Sequence, residues 1–280
     1  SIMSNILYVI TLYGCRLEES ATFKTLLKGH NDALNDIYVY DNSPYEQTTD
    51  VEVGKYVHDC CNGGLGKAYN AAYRYAKEKG YLWLLLLDQD TDFSNDAIDS
   101  YKSAICLHKS VSMIVPRHTI ATGQFISPTP YCLFTSHICN SAPVGTVKFS
   151  DASPINSGIL VSLDSFSRVG GYYEKVWLDF SDVAFIEKYK RLYPEYYVLP
   201  SVICRQAFSG METDKKKIFQ RFCIYLECAR NFRKCVHGTS LALTIATLRP
   251  TLSRTFRERS LKYFWAFFNY YLGNKENRHG

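Results

Sequence analysis

The stretch YLWLLLLDQDTDF, residues 81–93, decides how the rest of the chain is read. Tyr81 to Leu87 is apolar without interruption, which is the pattern of a strand covered on both faces in the middle of a parallel sheet. The run stops at Asp88-Gln89-Asp90. Residues two apart on an extended segment point the same way, so both carboxylates face one side. Carboxylate oxygens are hard ligands, and magnesium commonly takes one or two of them beside substrate phosphates. An isolated Asp-x-Asp also serves as a plain turn into a following helix, here at Asp96, so the pair acquires meaning only from its surroundings.

Those surroundings alternate strand with helix. Ile6 to Leu12 is a second buried strand, and Asp36 to Tyr40 a third, closed by the turn residues Asp41-Asn42-Ser43-Pro44. Residues 18–29 read as a helix with Phe23, Leu26 and Leu27 on one face. Asn62 reads as the cap of a helix in which Ala68, Ala72 and Ala76 recur until Gly80 stops it. The alternation predicts an α/β fold with a mixed, mostly parallel sheet flanked by helices. Such sheets bind ligands beyond the carboxyl ends of their strands, which points to Thr11-Leu12-Tyr13, Asp41-Asn42 and Asp88-Gln89-Asp90. Farther on, 96–108 and 182–192 read as helices and Val111 to Val115 as a strand. Ile155 to Leu163 reads as a strand interrupted at Ser157-Gly158, and 116–150 as loops and short strands.

The last seventy residues differ in character. Ile218, Phe222, Tyr225, Leu226, Ala229 and Phe232 fall on one helical face, and an aromatic helix is expected from about Ser260 to Leu272. The net charge of +5 hides a division: residues 211–280 carry 14 Lys and Arg against 5 Asp and Glu, while residues 1–210 carry 18 against 22. The expected organisation is a catalytic domain at 4–210, with halves at about 4–95 and 96–210, and a basic, aromatic, helical C-terminal extension at 211–280. Three readings of that extension compete. Its helices pack on the body with solvated cations, or they meet an anionic membrane surface, or they bind nucleic acid. No nucleic-acid module signature is visible, so no nucleic-acid partner is expected.

Several classes are excluded. The ten Cys contain no C-x-x-C, so zinc ribbons and dithiol redox sites are not expected, and free thiols in a reducing cytoplasm are. No apolar run approaches the ~20 residues of a membrane span. Ser1 to Asn5 carries no basic segment, so a signal peptide is not expected. Only Gly14 follows the first strand, which excludes a dinucleotide fingerprint, and Gly66-Lys67 lacks the remaining residues of a phosphate-binding loop. The seven His are scattered without ligand spacing, and most read as loop or surface residues.

Taken in order, these segments resemble the family 2 glycosyltransferases, which have a GT-A, Rossmann-like nucleotide-sugar-binding fold. VITLYG resembles that family's opening strand, IYVYDNSP its second strand, and NGGLGKAYNAA the start of its first helix. LLLLDQDT resembles its Asp-x-Asp in the Asp-Gln-Asp form of rhamnosyltransferase-like members. NSGILVSLDSFSRVGGYYEKVWLDFSDVAF resembles the acceptor-side segment, and YLECARN a tail element. The resemblance spans roughly residues 5–235.

It implies an inverting enzyme that moves rhamnose or a hexose from a nucleotide-diphosphate donor, dTDP-rhamnose or a UDP-hexose, to a glycan hydroxyl in bacterial surface polysaccharide synthesis. The acceptor would be a glycan or lipid-linked glycan, and the location cytoplasmic or at the inner face of the cytoplasmic membrane. It implies that Thr11, Tyr13 and Asp41 hold the nucleoside, Asp88 the ribose, and Asp90 a divalent cation, magnesium or manganese. Asp182 matches the catalytic base, while Asp179 and Arg205 are candidate acceptor or diphosphate contacts. The chain departs from the pattern at Gly14, Tyr69 and Ala184, and CRQAFSG (204–210) lacks the metal-binding His that often follows the last core strand. Two alternatives stand beside this reading: a degenerate nucleotide-sugar-binding scaffold, and a sugar nucleotidyltransferase. The latter usually needs a basic Gly-rich loop that TLYGCRLEES does not supply.

Overall fold

The computed structural model describes residues 5–94, 96–206 and 213–277. Its strands are β1 (Ile6–Leu12), β2 (Ile37–Asp41), β3 (Lys55–His58), β4 (Trp83–Leu87), β5 (Thr91–Phe93), β6 (Met113–Thr119), β7 (Phe125–Ser127), β8 (Tyr131–Cys132), β9 (Thr135–Ser136), β10 (Gly145–Lys148), β11 (Ile159–Ser162) and β12 (Glu195–Gln206). Its α-helices are α1 (Gly64–Lys79), α2 (Ala97–Leu107), α3 (Leu163–Val169), α4 (Ser181–Tyr189), α5 (Lys215–Cys235), α6 (Ser240–Arg257) and α7 (Lys262–Ala266).

The main sheet runs β10-β12-β6-β11-β4-β1-β2-β3, with β5 paired to β12 and β7 to β6. The pairs β4-β1, β1-β2 and β2-β3 are parallel, while β11 lies antiparallel between β4 and β6. The two-residue pleat distributes the apolar runs to both faces. Leu7, Val9, Tyr38, Tyr40, Leu84 and Leu86 enter one core cluster. Ile10, Leu12, Ile37, Val39, Leu85 and Leu87 enter the other. Both faces are covered, so these strands show no alternation in sequence.

Helix α1 lies against the sheet through Ala68, Ala72 and Ala76, all fully buried, and ends at Gly80 in the left-handed region (φ 78°). Its start differs from the sequence expectation. Asn62 is a turn residue with φ 49°, and the first helical amides are met from outside. Asp59 accepts from the amides of Cys61 and Gly63, and Asn42 Oδ1 accepts from Gly64. A Cβ on Gly64 would stand 2.1 Å from the Trp177 carbonyl oxygen, so only glycine permits this approach.

Residues 18–29 do not form one helix. A 3-10 turn at Leu17–Glu19 is followed by a π-helical turn at Phe23–Leu27. The Ser20 and Thr22 hydroxyls donate to the carbonyls of Gln89 and Thr91, which fastens the segment to the loop after β4.

A third apolar cluster joins Val176, Val183 and Ala184 of the body to Phe222, Leu226 and Phe232 of α5. The expected face of α5 is therefore the buried one. The chain from Lys262 to Leu272 is helical, α7 passing into a π-helical turn at Phe267–Leu272. Helix α6 has no counterpart in the sequence reading. Its fully buried Thr247 and Thr251 donate to the carbonyls of Leu243 and Thr247, while Leu241, Ile245, Leu252 and Phe256 stay exposed. No helix among the described residues is long and apolar enough to cross a membrane.

Candidate functional site

The strand ends of β1, β2 and β4 meet at one cavity of about 390 Å³. Thr11 and Tyr13 line it from β1, Asn42 from β2, Asp88 and Gln89 from β4, and Arg221 from α5. Gln89 brackets the Tyr13 backbone: its Oε1 accepts from the amide at 2.7 Å and its Nε2 donates to the carbonyl at 3.2 Å. That fixes the loop after β1 and leaves the Tyr13 ring exposed at the cavity mouth, available for stacking. Gly14, where the family pattern has Asn, donates its amide to Ser43 Oγ at 2.8 Å.

Asp41 is fully buried and absent from that lining. Its carboxylate accepts from the amides of Ser43 and Gln47 and from the Tyr56 hydroxyl at 2.6 Å. Burial raises its pKa, but these donors outweigh that cost and the net shift is downward. Asp41 thus stays ionised and shapes the loop 42–47.

Asp88 and Asp90 differ. Protein surrounds Asp88 on most sides, and its Oδ1 accepts from Thr91 Oγ1 at 2.6 Å. Burial first, then the neighbouring Asp90 charge, push its pKa up to about 7. Asp90 is exposed. Asp88 and Asp90 repel each other, and a divalent ion held by both would relieve that repulsion. Among the described residues no group of three or more His, Cys, Asp or Glu could complete a metal site. Two adjacent carboxylates suit a cation only if its remaining ligands would be diphosphate oxygens and water, as magnesium prefers. Residues 207–210, in the segment lacking the family His, lie outside the described residues.

Asp182 is at the first turn of α4. Its Oδ2 accepts from the Asn156 amide at 3.2 Å and its Oδ1 from its neighbour Val183 at 2.9 Å. Burial raises its pKa against the opposing pull of these hydrogen bonds. Ser157, the next residue after Asn156, accepts the Asp88 amide N–H on its Oγ at 3.0 Å. One dipeptide therefore holds both acids. Gly158 completes it at φ 88°, where a Cβ would come within 2.8 Å of Pro116. Beneath lies Tyr69, wholly buried and close enough to feel the charges of both Asp88 and Asp182. The Asn156 Nδ2 and Ser181 Oγ beside this site are buried with no hydrogen-bond partner.

His118 departs from the expectation of a loop or surface residue. It is fully buried on β6, and its Nε2 lies 2.8 Å from the Ser157 carbonyl, which can only accept. Burial lowers its pKa to about 4, so it is neutral and braces the dipeptide.

The remaining candidates separate. Asp179 forms a two-pronged ion pair with Arg221, whose Nη2 donates to Oδ1 at 2.8 Å and Nη1 to Oδ2. Arg205 is an exposed residue of β12 opposite Asp92 of β5, and it does not line the strand-end cavity. Arg221 does, and the sequence reading missed it. Its link to Asp179 joins residues 42 apart, and no local pattern announces such a contact.

The parallel nucleotide-side strands, the antiparallel β11 and the acids at the end of β4 make this the GT-A fold of the glycosyltransferases. No protein-family model matches the chain. It is similar to the dTDP-rhamnosyl transferase RfbF of Shigella flexneri, 27% identical over 189 residues, which are 64% of this chain and 61% of that protein. The chain thus spans less than two thirds of the curated relative that it matches. Among solved structures it resembles GalNAc-T7 with UDP, GalNAc and Mn2+, at a TM-score of 0.54 and 10% identity, over 82% of this chain and 48% of the other. It also resembles residues 1–349 of S. aureus TarS in complex with UDP-GlcNAc, at a TM-score of 0.52 and 12% identity, over 95% and 79%.

Proposed function

We propose that this chain is an inverting glycosyltransferase that moves rhamnose or a hexose from a nucleotide-diphosphate donor to a glycan hydroxyl of a bacterial surface polysaccharide. The observation that carries the reading is the dipeptide Asn156-Ser157, which holds Asp182 through one residue and Asp88 through the next. A base and a donor-binding acid fixed to one support fit a reaction between two substrates meeting at that point. The similarity to a protein named as a dTDP-rhamnosyl transferase and the fold shared with a UDP-GlcNAc complex support the donor class.

In this reading Tyr13 stacks on the base, Thr11 lines the nucleoside pocket, and Asp41 holds the loop beneath it. Asp88 faces the ribose. Asp182 accepts the acceptor hydroxyl's proton as the new carbon–oxygen bond forms. The raised pKa makes it a stronger base than an ordinary carboxylate. The anomeric carbon–oxygen bond breaks on the opposite side, so one displacement inverts the centre and the diphosphate leaves. A divalent cation at Asp90 supplies Lewis-acid stabilisation of the leaving group when bound. Arg221, rather than Arg205, stands where its guanidinium fork meets the diphosphate.

A thermal-shift panel of dTDP-rhamnose and UDP-hexoses with magnesium or manganese tests the reading. The true donor stabilises the chain by about 2.7 kcal/mol at a hundred times its dissociation constant. The absence of stabilisation or hydrolysis with every donor would overturn the assignment.

The exposed row Leu241, Ile245, Leu252 and Phe256 on α6 and the row Leu261, Trp265, Phe268 and Leu272 beyond it both follow helical spacing. Arg249, Arg257, Arg259 and Lys262 flank them. Apolar rows rimmed by cations suit an anionic bilayer surface better than a second copy of the same positive face. The proposal therefore includes peripheral association with the inner face of the cytoplasmic membrane, beside a lipid-linked acceptor.

A further inference from the structure

A cavity of about 1170 Å³ lies not at the strand ends but between residues 131–136 and 179–180 on one side and the helices α5 and α6 on the other. Four cations line it, Lys217 and Arg221 from α5 and Arg249 and Arg254 from α6, against the single acid Asp179. Asp179 is already matched by Arg221. Arg254 lies over the rings of Phe222 and Tyr263, at 5.4 and 6.0 Å from their centroids. Neither Arg249 nor Arg254 has an ion pair with a carboxylate among the described residues. Arg249 and Arg254 therefore bring to the cavity positive charge that no carboxylate among the described residues pairs with.

Its other walls are aromatic: Tyr131, Phe134, Phe180, Phe222 and Tyr225. Flat rings suit the apolar faces of a sugar or an aliphatic chain, and paired guanidinium groups suit phosphate oxygens. The wall made by α6 is built for an open space. Ala246, Arg249, Pro250 and Ser253 line it at helical offsets of 3, 4 and 7. Pro250 has no N–H, so the Ala246 carbonyl loses its intrahelical donor. The Tyr225 hydroxyl from α5 donates to that carbonyl at 3.4 Å and ties the two helices across the cavity floor.

The cavity adjoins the reacting groups. Arg221 lines both it and the donor cavity. Phe180 and Asp179 immediately precede α4, whose first turn bears Asp182, and Tyr131 is close enough to feel the Asp182 charge. We infer that this cavity receives the acceptor and that the acceptor carries a phosphate ester. Arg249 and Arg254 hold the phosphate, and the aromatic walls seat the sugar whose hydroxyl meets Asp182. The inference rests on the glycosyltransferase reading for the word acceptor, but the phosphate site is testable by itself.

The test uses the full chain with saturating UDP, which blocks the donor cavity. Phenyl phosphate, phenyl glucuronide and phenyl glucoside are titrated by ligand-observed NMR into wild type, Arg249→Gln, and Arg249→Gln with Arg254→Gln. Phenyl phosphate is expected to bind most tightly and to lose at least tenfold in affinity in the double variant. The exposed single variant Arg249→Gln, with an unchanged melting curve, is expected to lose part of that affinity, which guards against misfolding as the cause. Equal affinity for phenyl phosphate in wild type and the double variant would overturn the inference. So would glucuronide binding as tight as phosphate, or binding only to phosphatidylglycerol vesicles with none to phenyl phosphate. Wild-type hydrolysis of dTDP-rhamnose and UDP-hexoses is measured separately. No hydrolysis with any donor removes the enzyme reading and the acceptor assignment with it, while the titration still decides whether phosphate binds.

Discussion

The strand-end wall and the helical wall of this molecule are opposites. The first gathers Asp88, Asp90 and Asp182 on backbone that is paired or braced from beneath. The second presents Arg221, Arg249 and Arg254 on α5 and α6, which pack against each other, α5 also meeting α4. In the proposed reading, a phosphorylated substrate entering between them would meet acids that handle the proton and a cation, and basic residues that hold its phosphate. Net charge conceals this, because +5 sums two surfaces that act separately. The lesson is that each wall should fail in its own way.

The largest effect should come from Asp182→Asn. Turnover should fall roughly 10²- to 10⁴-fold, the usual worth of a positioned base, with UDP or dTDP affinity within twofold by calorimetry. Near-native turnover would erase the distinction between the walls. Next is Arg221→Met, which should weaken nucleotide diphosphate binding about tenfold, while Arg205→Met should not change it. Asp90→Ala sharpens the contrast, since nucleotide affinity should then no longer respond to magnesium or manganese.

A smaller effect tests the outer side of the helical wall. Leu241→Glu with Phe256→Glu should reduce binding to phosphatidylglycerol vesicles several-fold in a sedimentation assay and leave donor hydrolysis unchanged. Unaltered binding would return these helices to a packing role.

The smallest effect concerns stability. A carboxyl whose folded pKa is raised binds more protons folded than unfolded across the interval between the two values. Without added metal, stability should therefore decline as pH rises from about 4, where the unfolded Asp88 titrates, to about 7, where the folded one does. Asp88→Asn should flatten that decline when melting temperature is followed against pH. A decline unchanged in the variant would assign it to other groups.

What the sequence made legible follows from burial. The strands β1, β2 and β4 were visible because the sheet is covered on both faces, so their residues are apolar throughout. The three acids were visible because they stand directly at element ends. Helix α6 was not, because its pattern is mixed: Thr247 and Thr251 are buried beside Leu243, while Leu241, Ile245 and Leu252 face outward. Residues 18–29 looked like one helix because periodicity cannot register hydroxyls that bond to the Gln89 loop instead. His118 and Arg221 were out of reach for a common reason. Each acts on a residue about forty positions away, His118 on Ser157 and Arg221 on Asp179, and neither separation leaves a periodic trace.

The Asn156-Ser157 support has a genetic consequence. In the proposed mechanism one dipeptide holds both the donor-side acid and the base, so a change there should reach donor and acceptor chemistry together. Substitutions of Asp88 and Asp182 should also be epistatic, since each alters the loop that carries the other. Selection for a new donor in this fold would thus tend to disturb acceptor turnover unless it acts outside residues 156–158. The loops at 42–47 and the cations of α6, which do not touch that dipeptide, are where specificity can drift at least cost to the reaction itself.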